Sequence, residues 1–366
     1  MFTASPKPAV NPSRAKYPVI AEMLLRRIEQ GDYALSRLPS ERKLAAELGV
    51  SYMTARRAVQ QLIESGRLAR NAAGRLHVRK QDPDRKHLNI AMVLPTFDSP
   101  HYIEWRSILN RVVTARGGVL RPVTYTHEDD PSLLEALDAG FDGLFLLPPP
   151  HPSPLLLDRL QQVRHQVVTL WHDLTDLGIP CVDTGRPGLV TRLIDHLADR
   201  GHTRVHCLNT QPVIPVITDR IRGWRDGLDA RGLDGVLYQE EVPAFGRADV
   251  KAYDVMTRLL KSGSFEATAL FCTTVGAAVG VNRAAYEHGL RIGRDLALCG
   301  FGEISHARLM TPSLTTIATP DPGPYLATGL EWVLTGGREW DRSLKIEPEP
   351  EDINLFIGES TTTADS

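Results

Sequence analysis

Long apolar runs are missing from this sequence, and so is an apolar leader. No stretch of about 18 consecutive apolar residues occurs, so the sequence predicts no membrane-spanning helix and no membrane partner. The segment 1–17 is polar and rich in proline, unlike the apolar core of a secretory signal. We therefore expect a cytoplasmic protein.

Cysteine is also scarce. The four cysteines, Cys181, Cys207, Cys272 and Cys299, match neither a CxxC motif nor a zinc-binding spacing. The last three lie within apolar, strand-like runs, where a free thiol packs as a small hydrophobic group. We therefore expect core thiols, without metal ligation and without disulfides in a reducing cytosol.

The motifs of common enzyme classes are absent too. The sequence contains no GxSxG elbow, no P-loop, no HExxH and no GxGxxG between a strand and a helix. We therefore expect no catalytic residues and no cofactor. Binding functions remain open, among them a transport binding protein and an architectural DNA binder.

The net charge of −2 conceals an uneven distribution of charge along the chain. Residues 1–87 contain 17 Lys and Arg but 8 Asp and Glu, whereas the remaining residues contain 25 and 36. A basic head on an acidic body indicates that the head alone meets a polyanion. A solvated basic surface is the alternative, and charge alone does not separate the two.

Residues 17–79 carry the pattern of three short helices followed by a hairpin. Pro18 can open the first helix and Gly31 can end it. Ser40 is a suitable N-cap for the second helix, and Ser51 for the third. The third helix would bury one apolar face and expose a polar, basic one formed by Met53, Arg56, Arg57, Gln60 and Gln61.

A tight turn at Gly49 would join the second and third helices into a helix-turn-helix. The third helix then has the polar, basic face required of a helix that enters the major groove of DNA. Residues 68–78 predict a short hairpin with Gly74 at its tip. Such a wing can place Arg75 along or in the minor groove.

The segment LPSERKLAAELGVSYMTARRAVQQLIESGRL, followed by NAAGRLHV, resembles the winged helix of GntR-type regulators. The resemblance implies DNA contacts from Arg42, Ser51, Thr54 and Arg56, and a wing glycine at Gly74. Tyr52 replaces the arginine usual in that family, and Leu76 replaces a wing threonine. These two changes bear on the operator sequence that is recognised.

The candidate DNA-binding residues are Arg42, Ser51, Tyr52, Thr54, Arg56, Arg57, Gly74 and Arg75. Contacts from arginine to phosphate supply affinity, whereas contacts to base edges supply sequence choice. Two alternatives stay open. Arg42 could form a surface salt bridge with Glu47, and Arg57 could be a solvated or structural arginine.

The rest of the chain predicts a larger α/β unit. Residues 80–88 are charged, contain proline and lack an apolar period, as expected of a linker. Residues 89–361 alternate strand-like and helical segments in two similar series, which favours doubly wound parallel sheets in two lobes with a ligand cleft between them. Segments 1–16 and 362–366 are expected to be a flexible arm and a tail.

This body resembles the effector domain of LacI/GalR repressors, whose fold is shared with periplasmic sugar-binding proteins. The matching segments are GFDGLFLLPP, HLADRGHTRV, DRIRGWRDGL, ALFCTT, EHGLRIGRDLALCGFGE and LMTPSLTTIATP. A GntR-type head on a LacI-type body is the arrangement of arabinose-responsive repressors. The resemblance therefore implies a winged helix joined to a two-lobed, periplasmic-binding-protein-like domain.

The candidate effector-binding residues are Arg220, Phe97, His101, Trp171, Phe245, Thr273 and Glu303. Arg220 falls on the arginine that contacts sugar hydroxyls in the family, although a surface arginine at the end of a helix is the alternative. Asp98, His172 and Asp173 also follow predicted strands. Three acidic or amide acceptor positions of the family are replaced, at Thr273–Thr274, at Gly302 and within 185–188. Either the effector is not an ordinary free sugar, or other residues hold it.

The resemblances together imply a DNA-binding transcription repressor, working as a homodimer on double-stranded operator DNA. Its operator affinity would be controlled by a small, sugar-like effector. The alternative is a ligand-independent DNA-binding regulator with a degenerate effector pocket.

Overall fold

The computed structural model describes residues 17–29, 32–33, 38–70, 74–78, 88–96, 99–185, 188–242, 246–302, 304–338 and 340–362. Four candidate effector residues, Phe97, Asp98, Phe245 and Glu303, lie outside these ranges. So do the helix stop expected at Gly31, the arm, most of the linker and most of the tail.

The head consists of three helices and a two-stranded hairpin. Its elements are α1 (Tyr17–Glu29), α2 (Glu41–Leu48), α3 (Tyr52–Glu64), β1 (Leu68–Arg70) and β2 (Leu76–Val78). Both α1 and α2 pack on α3 around a small apolar core that includes Ile20, Leu24, Leu44 and Val59. The predicted helix-turn-helix and hairpin are therefore confirmed.

The ends of these helices follow the predicted capping residues with one exception. Gly49 ends α2 with φ +66°, and the Ser51 hydroxyl caps α3 by accepting from the Thr54 N–H at 3.2 Å. Ser40 occupies the N-cap position of α2, but its side chain makes no capping hydrogen bond to the described residues. The cap position was predicted correctly, whereas the hydrogen bond expected there was not found.

The first lobe is built on a six-stranded, all-parallel sheet. In chain order its strands are β3 (Asn89–Pro95), β4 (Val119–Tyr125), β5 (Gly143–Leu146), β6 (Val167–Leu170), β7 (Cys181–Val182) and β13 (Lys345–Ile346), and across the sheet they run β13-β7-β6-β5-β3-β4. Its helices are α4 (Pro100–Ala115), α5 (Pro131–Asp138), α6 (Pro154–Gln162) and α12 (Gly323–Thr335).

The second lobe repeats this plan. Its strands are β8 (Val205–Asn209), β9 (Leu237–Gln239), β10 (Ala269–Cys272), β11 (Ala297–Phe301), β12 (Thr315–Ala318) and β14 (Asn354–Phe356), in the order β14-β12-β11-β10-β8-β9. Only β14, among the described strands of this sheet, runs antiparallel to its neighbour. Its helices are α7 (Leu189–Ala198), α8 (Pro215–Arg231), α9 (Ala248–Ser262), α10 (Val275–Glu287) and α11 (Ile304–Ala307).

The chain passes between the two lobes three times. It leaves the first sheet after β7, returns after β12 to form α12 against α4, and crosses again between β13 and β14. One apolar cluster contains residues of both lobes, including Phe145 and Trp171 of the first and Phe271 and Phe301 of the second. The predicted two-lobed, doubly wound α/β class is confirmed.

Two further expectations can be compared with the described residues. All four cysteines are buried free thiols, as predicted. Within the described ranges, no helix is both long enough and apolar enough to cross a membrane.

Candidate nucleic-acid interface and ligand cleft

Helix α3 presents a polar face to solvent because its apolar residues fall on the opposite side. Ala55, Ala58, Val59 and Leu62 are buried, and the five residues predicted for the free face are all exposed. Arg56 and Arg57 are therefore available at this surface. The helix begins at Tyr52, so the candidate contact residues occupy its first turns, which enter the groove in helix-turn-helix proteins.

Ser51 and Thr54 also have a structural task. Besides the capping bond, their two hydroxyl oxygens lie 2.9 Å apart and share a hydrogen bond. The pair fixes the start of α3. Any contact with DNA from these hydroxyls would use their remaining hydrogen-bonding capacity.

The wing and the start of α2 frame this helix. The hairpin pairs Leu68 with Val78 and Arg70 with Leu76, and Gly74 at its turn has φ +72°. Arg75 and Arg42 are exposed. The alternative salt bridge between Arg42 and Glu47 is not formed.

Glu47 is engaged on another side of the head. It accepts from the Tyr33 hydroxyl at 3.1 Å and lies 3.5 Å from Arg27. Arg42 remains exposed on α2.

Sequence reasoning missed Glu41, the first residue of α2. Its carboxylate accepts from the Tyr52 hydroxyl at 3.2 Å and from Arg70 of the wing at 2.5 Å. Motif comparison could not reveal this, because the three residues belong to three different elements.

A cavity of about 410 Å³, including the part open to solvent, lies between the lobes. The first lobe contributes Ser99, His101, Tyr102 and Trp171, and the second contributes Gln211, Pro212, Ile214, Val216, Ile217, Arg220 and Thr274. These residues follow the carboxyl ends of β3, β6, β8 and β10. In doubly wound sheets, ligands bind at this edge, where the strand order reverses.

Arg220 is held in a defined position on α8. It is 9% exposed, donates to the carbonyl oxygen of Thr273 at 2.8 Å, and its guanidinium carbon lies 4.1 Å from the ring centre of Phe301. Stacking and hydrogen bonding orient the planar group toward the cavity that it lines. A surface arginine is thereby ruled out, and the cavity has a multi-donor cation in its wall.

Trp171 dominates the aromatic wall of the cavity. It has φ +54°, a left-handed conformation that costs a bulky residue about 1–3 kcal/mol. Its ring centre lies 4.8 Å from His101 and 5.5 Å from Tyr102. Its indole nitrogen is buried and has no hydrogen-bond partner among the described residues. A ligand acceptor would satisfy this donor.

Thr273 stands behind the cavity, and its neighbour Thr274 lines it. Thr273 is fully buried, and its hydroxyl donates to Asn209 Oδ1 at 2.7 Å. The Asn209 side chain also accepts from the Gln211 N–H and donates to the Gln211 carbonyl. This network shapes the loop that places Gln211 in the lining, and Thr273 lies behind the lining residue Thr274.

Asp183 is a second residue that sequence reasoning missed. It accepts from the Gly185 N–H at 2.7 Å and lies on the chain where it leaves the first lobe. Burial raises the pKa of Asp183 to about 6, against the lowering effects of that hydrogen bond and of the charges on Arg220 and His101. Two residues that line the cavity, Arg220 and His101, therefore act electrostatically on Asp183. Its position just after a short strand was the available signal.

His172 and Asp173, which also follow a predicted strand, are used elsewhere. Asp173 accepts from the Thr175 hydroxyl at 2.6 Å and pairs with Lys345 at 2.7 Å. Burial lowers the pKa of His172, and neither residue lines the cavity. Within the described ranges, no group of His, Cys, Asp and Glu side chains has the arrangement of a metal site.

These features define a class of protein in which a winged helix is joined to a two-lobed domain with a ligand cleft between the lobes. Residues 16–78 match the family model of bacterial regulatory proteins, gntR family, and residues 194–322 match the periplasmic binding protein-like domain. The chain therefore combines a gntR-type DNA-binding domain with a periplasmic-binding-protein-like domain. Both resemblances drawn from the sequence motifs are confirmed.

Curated relatives match parts of the chain. The ribose operon repressor of Escherichia coli K12 is 33% identical over 128 residues, 34% of this chain and 37% of that repressor. The transcriptional repressor PurR of Escherichia coli O1:K1 is 29% identical over 218 residues, 57% of this chain and 61% of that protein. The chain thus spans less than two thirds of the length of these relatives.

Solved structures agree with the fold of the body. A LacI family transcriptional regulator from Enterococcus faecium with bound ribose superposes with a TM-score of 0.63 at 18% identity, covering 76% of this chain and 100% of that chain. Transcription regulator GntR from Chromobacterium violaceum gives a TM-score of 0.60 at 24% identity, covering 74% and 99%. At these identities the likeness concerns the fold.

Proposed function

We propose that this protein is a sequence-specific transcription repressor, acting in the cytoplasm, whose affinity for operator DNA is controlled by a small ligand bound between the lobes. The observation that carries the proposal is the presence, in one chain, of an exposed basic recognition helix and a cavity lined by a fixed arginine. A transport binding protein does not need a basic recognition helix, and an architectural DNA binder does not need a ligand cavity.

The chemistry of the cavity supports a ligand with one apolar face and several hydrogen-bonding groups. Trp171 and Tyr102 offer aromatic surface, while Arg220, Gln211 and the indole N–H offer polar contacts. A sugar or sugar derivative has this combination. The repressor named for a ribose operon and the structural neighbour with bound ribose support the same class.

The mechanism we propose is a population shift in a homodimer. Two heads contact two half-sites of a near-palindromic operator, and the ligand favours one arrangement of the lobes, which changes the spacing of the heads. Coupling of about 1–3 kcal/mol between ligand and DNA changes operator affinity by about 5- to 150-fold.

Selection of binding sequences from a random DNA pool tests the DNA-binding half of the proposal. We expect the full chain to enrich a two-fold-related sequence, and Arg56→Ala to lose about 1–3 kcal/mol of discrimination between that sequence and a scrambled duplex, as for one base contact. Arg26→Ala is the matched control, because Arg26 is an exposed arginine on α1 that pairs with Glu22 on the same helix. Equal enrichment by wild type and Arg56→Ala would remove α3 from the recognition role.

A thermal-shift screen of the full chain against pentoses, hexoses, uronates, sugar phosphates and purines tests the ligand-binding half. A compound in excess over its Kd raises Tm by mass action. We expect the shift to disappear in Trp171→Ala and Arg220→Ala. No shift with any compound, combined with intact operator binding, would favour the ligand-independent regulator instead.

A further inference from the structure

A partly buried carboxylate lies next to the basic residues of the surface that we propose faces DNA. Glu41 is the first residue of α2, and its side chain is 14% exposed. A carboxylate near phosphate groups opposes DNA binding unless its charge is used within the protein. The contacts of Glu41 show that it is used.

Both oxygens of Glu41 accept from donors on other elements. Oε2 accepts from the Tyr52 hydroxyl at the start of α3, at 3.2 Å, and Oε1 accepts from Arg70 Nη2 on β1, at 2.5 Å. Arg70 continues the chain of contacts, because its Nη1 donates to the carbonyl oxygen of Gly74 at 3.0 Å. One carboxylate thus connects the recognition helix to the turn of the wing.

We propose that Glu41 is a positioning residue that fixes the wing relative to the recognition helix and so sets operator discrimination. The four residues Glu41, Tyr52, Arg70 and Gly74 form what we call the Glu41 clamp. This inference rests on the proposed DNA-binding function, and it concerns how that function obtains its specificity.

Two physical effects follow from the clamp. It orders the hairpin before DNA arrives, which lowers the conformational entropy lost on binding. It also keeps the Arg70 charge paired, so that Arg70 does not add a sequence-independent phosphate contact. Breaking the clamp should therefore weaken operator binding and strengthen binding to unrelated DNA.

Tyr52 obtains a role from the same geometry. Its hydroxyl donates to Glu41, while the residue is 40% exposed between Ser51 and Met53 at the surface that we propose faces DNA. An arginine at this position would pair with Glu41 and compete with Arg70. The tyrosine satisfies one carboxylate oxygen and leaves the other to the wing.

The first test uses no DNA. Amide hydrogen exchange is measured over residues 68–78 in wild type, Glu41→Gln, Glu41→Ala and the matched control Glu22→Gln, which makes the same charge change on exposed α1. We expect exchange in the hairpin to rise about tenfold in Glu41→Ala, the size expected for loss of a charge-assisted hydrogen bond, and to stay within about twofold in the control. Unchanged exchange in both Glu41 variants would overturn the clamp.

The second test measures the ratio of Kd values for the selected operator and a scrambled duplex. We expect Glu41→Gln to lower this discrimination about tenfold and to steepen the salt dependence of scrambled-duplex binding by about one phosphate contact. Tyr52→Phe should lower discrimination in the wild-type background and have no effect in Glu41→Ala. If Glu41 had a purely structural role, Glu41→Gln would weaken binding to both duplexes equally. If the effects of Tyr52→Phe and Glu41→Ala on discrimination were additive, the coupling between Tyr52 and Glu41 would be overturned.

The two proposals can fail separately. Wild-type protein that binds both duplexes equally would overturn the proposed function together with the specificity role of Glu41, while the exchange measurement would still decide whether the clamp orders the wing. Wild-type discrimination that survives in both Glu41 variants would overturn the specificity role alone. Glu41→Gln preserves the shape of the side chain, so it serves if Glu41→Ala fails to fold.

Discussion

The surroundings of Asp183 disfavour the ionised form of its carboxyl group. Burial raises its pKa to about 6, above the ordinary value of 3.8, although Gly185 N–H, Arg220 and His101 all favour the ionised form. Glu347 adds a neighbouring negative charge that raises the pKa further. A carboxylate kept ionised in such surroundings costs stability, and groups with raised pKa values of this kind are often found at binding sites.

The sign of the resulting pH effect can be predicted. Because the folded pKa is raised, the folded protein binds the Asp183 proton more tightly than the unfolded chain, so this group adds stability as pH falls from about 6 toward 4. We expect Asp183→Asn to raise the free energy of unfolding at pH 8 by about 1–2 kcal/mol, less than the full pKa shift implies because the side chain is only partly buried. The difference should become small near pH 4.

Chemical denaturation of wild type and Asp183→Asn across pH 4–8 measures this difference. The control is Asp173→Asn, which removes an exposed carboxylate paired with Lys345 and should not stabilise the protein. A loss of stability in Asp183→Asn at pH 8 would contradict the argument. Weaker ligand-induced Tm shifts in the same variant would place Asp183 in the binding site.

Helices α9 and α10 pack so closely that the side-chain size at a single position of α10 matters. A Cβ on Gly280 would lie 2.0 Å from the carbonyl oxygen of Asp249 and 2.8 Å from the backbone nitrogen of Tyr253. Gly276, one turn earlier in α10, would place a Cβ 3.7 Å from Pro100, which is ordinary contact. The two glycines look alike in the sequence and differ in what faces them.

We expect Gly280→Ala to destabilise the protein by about 3 kcal/mol, because backbone atoms of α9 must move and the gain in helix propensity is smaller. Gly276→Ala should stay within about 0.5 kcal/mol of wild type. Thermal unfolding of the two variants provides the comparison. Equal Tm values would show that α9 and α10 can separate at little cost.

The sequence indicates a strand best where the strand has a strong local pattern of apolar residues. Strands β3, β10 and β11 read as short apolar runs between turns, because nearly all of their residues are buried. The edge strands β9, β13 and β14 have no such run. Each is two or three residues long and depends on its neighbour in the sheet, which a local pattern does not contain.

At the scale of the whole molecule, the head and the body have separate cores. Among the residues that the structure describes, the apolar cluster of the head lies between Ile20 and Leu76, and the other clusters begin at Leu88. A hydrogen bond of 3.2 Å from Arg121 to Asp32 links the two parts across the surface. An exposed ion pair of this kind contributes at most about 1 kcal/mol.

We therefore expect a chain of residues 88–366 to unfold cooperatively and to keep the ligand-induced Tm shift of the full chain, because ligand stabilisation depends on concentration and Kd alone. The same chain should not bind DNA. Calorimetry of both chains with the compound found in the screen makes the comparison. A truncated chain that fails to fold, or that loses the shift, would show that the head supports the cleft.

The sequence by itself determined the two kinds of domain and the position of the recognition helix, because caps, turn glycines and apolar periods act between residues close in the chain. It also indicated that Arg220 and the residues after the strands form a cleft. Only the tertiary structure decided that Thr274 and not Thr273 lines the cavity, that the charge of Arg220 acts on Asp183, and that Glu41 joins Tyr52 to Arg70. These contacts connect residues distant in the chain, and their geometry depends on how whole elements pack.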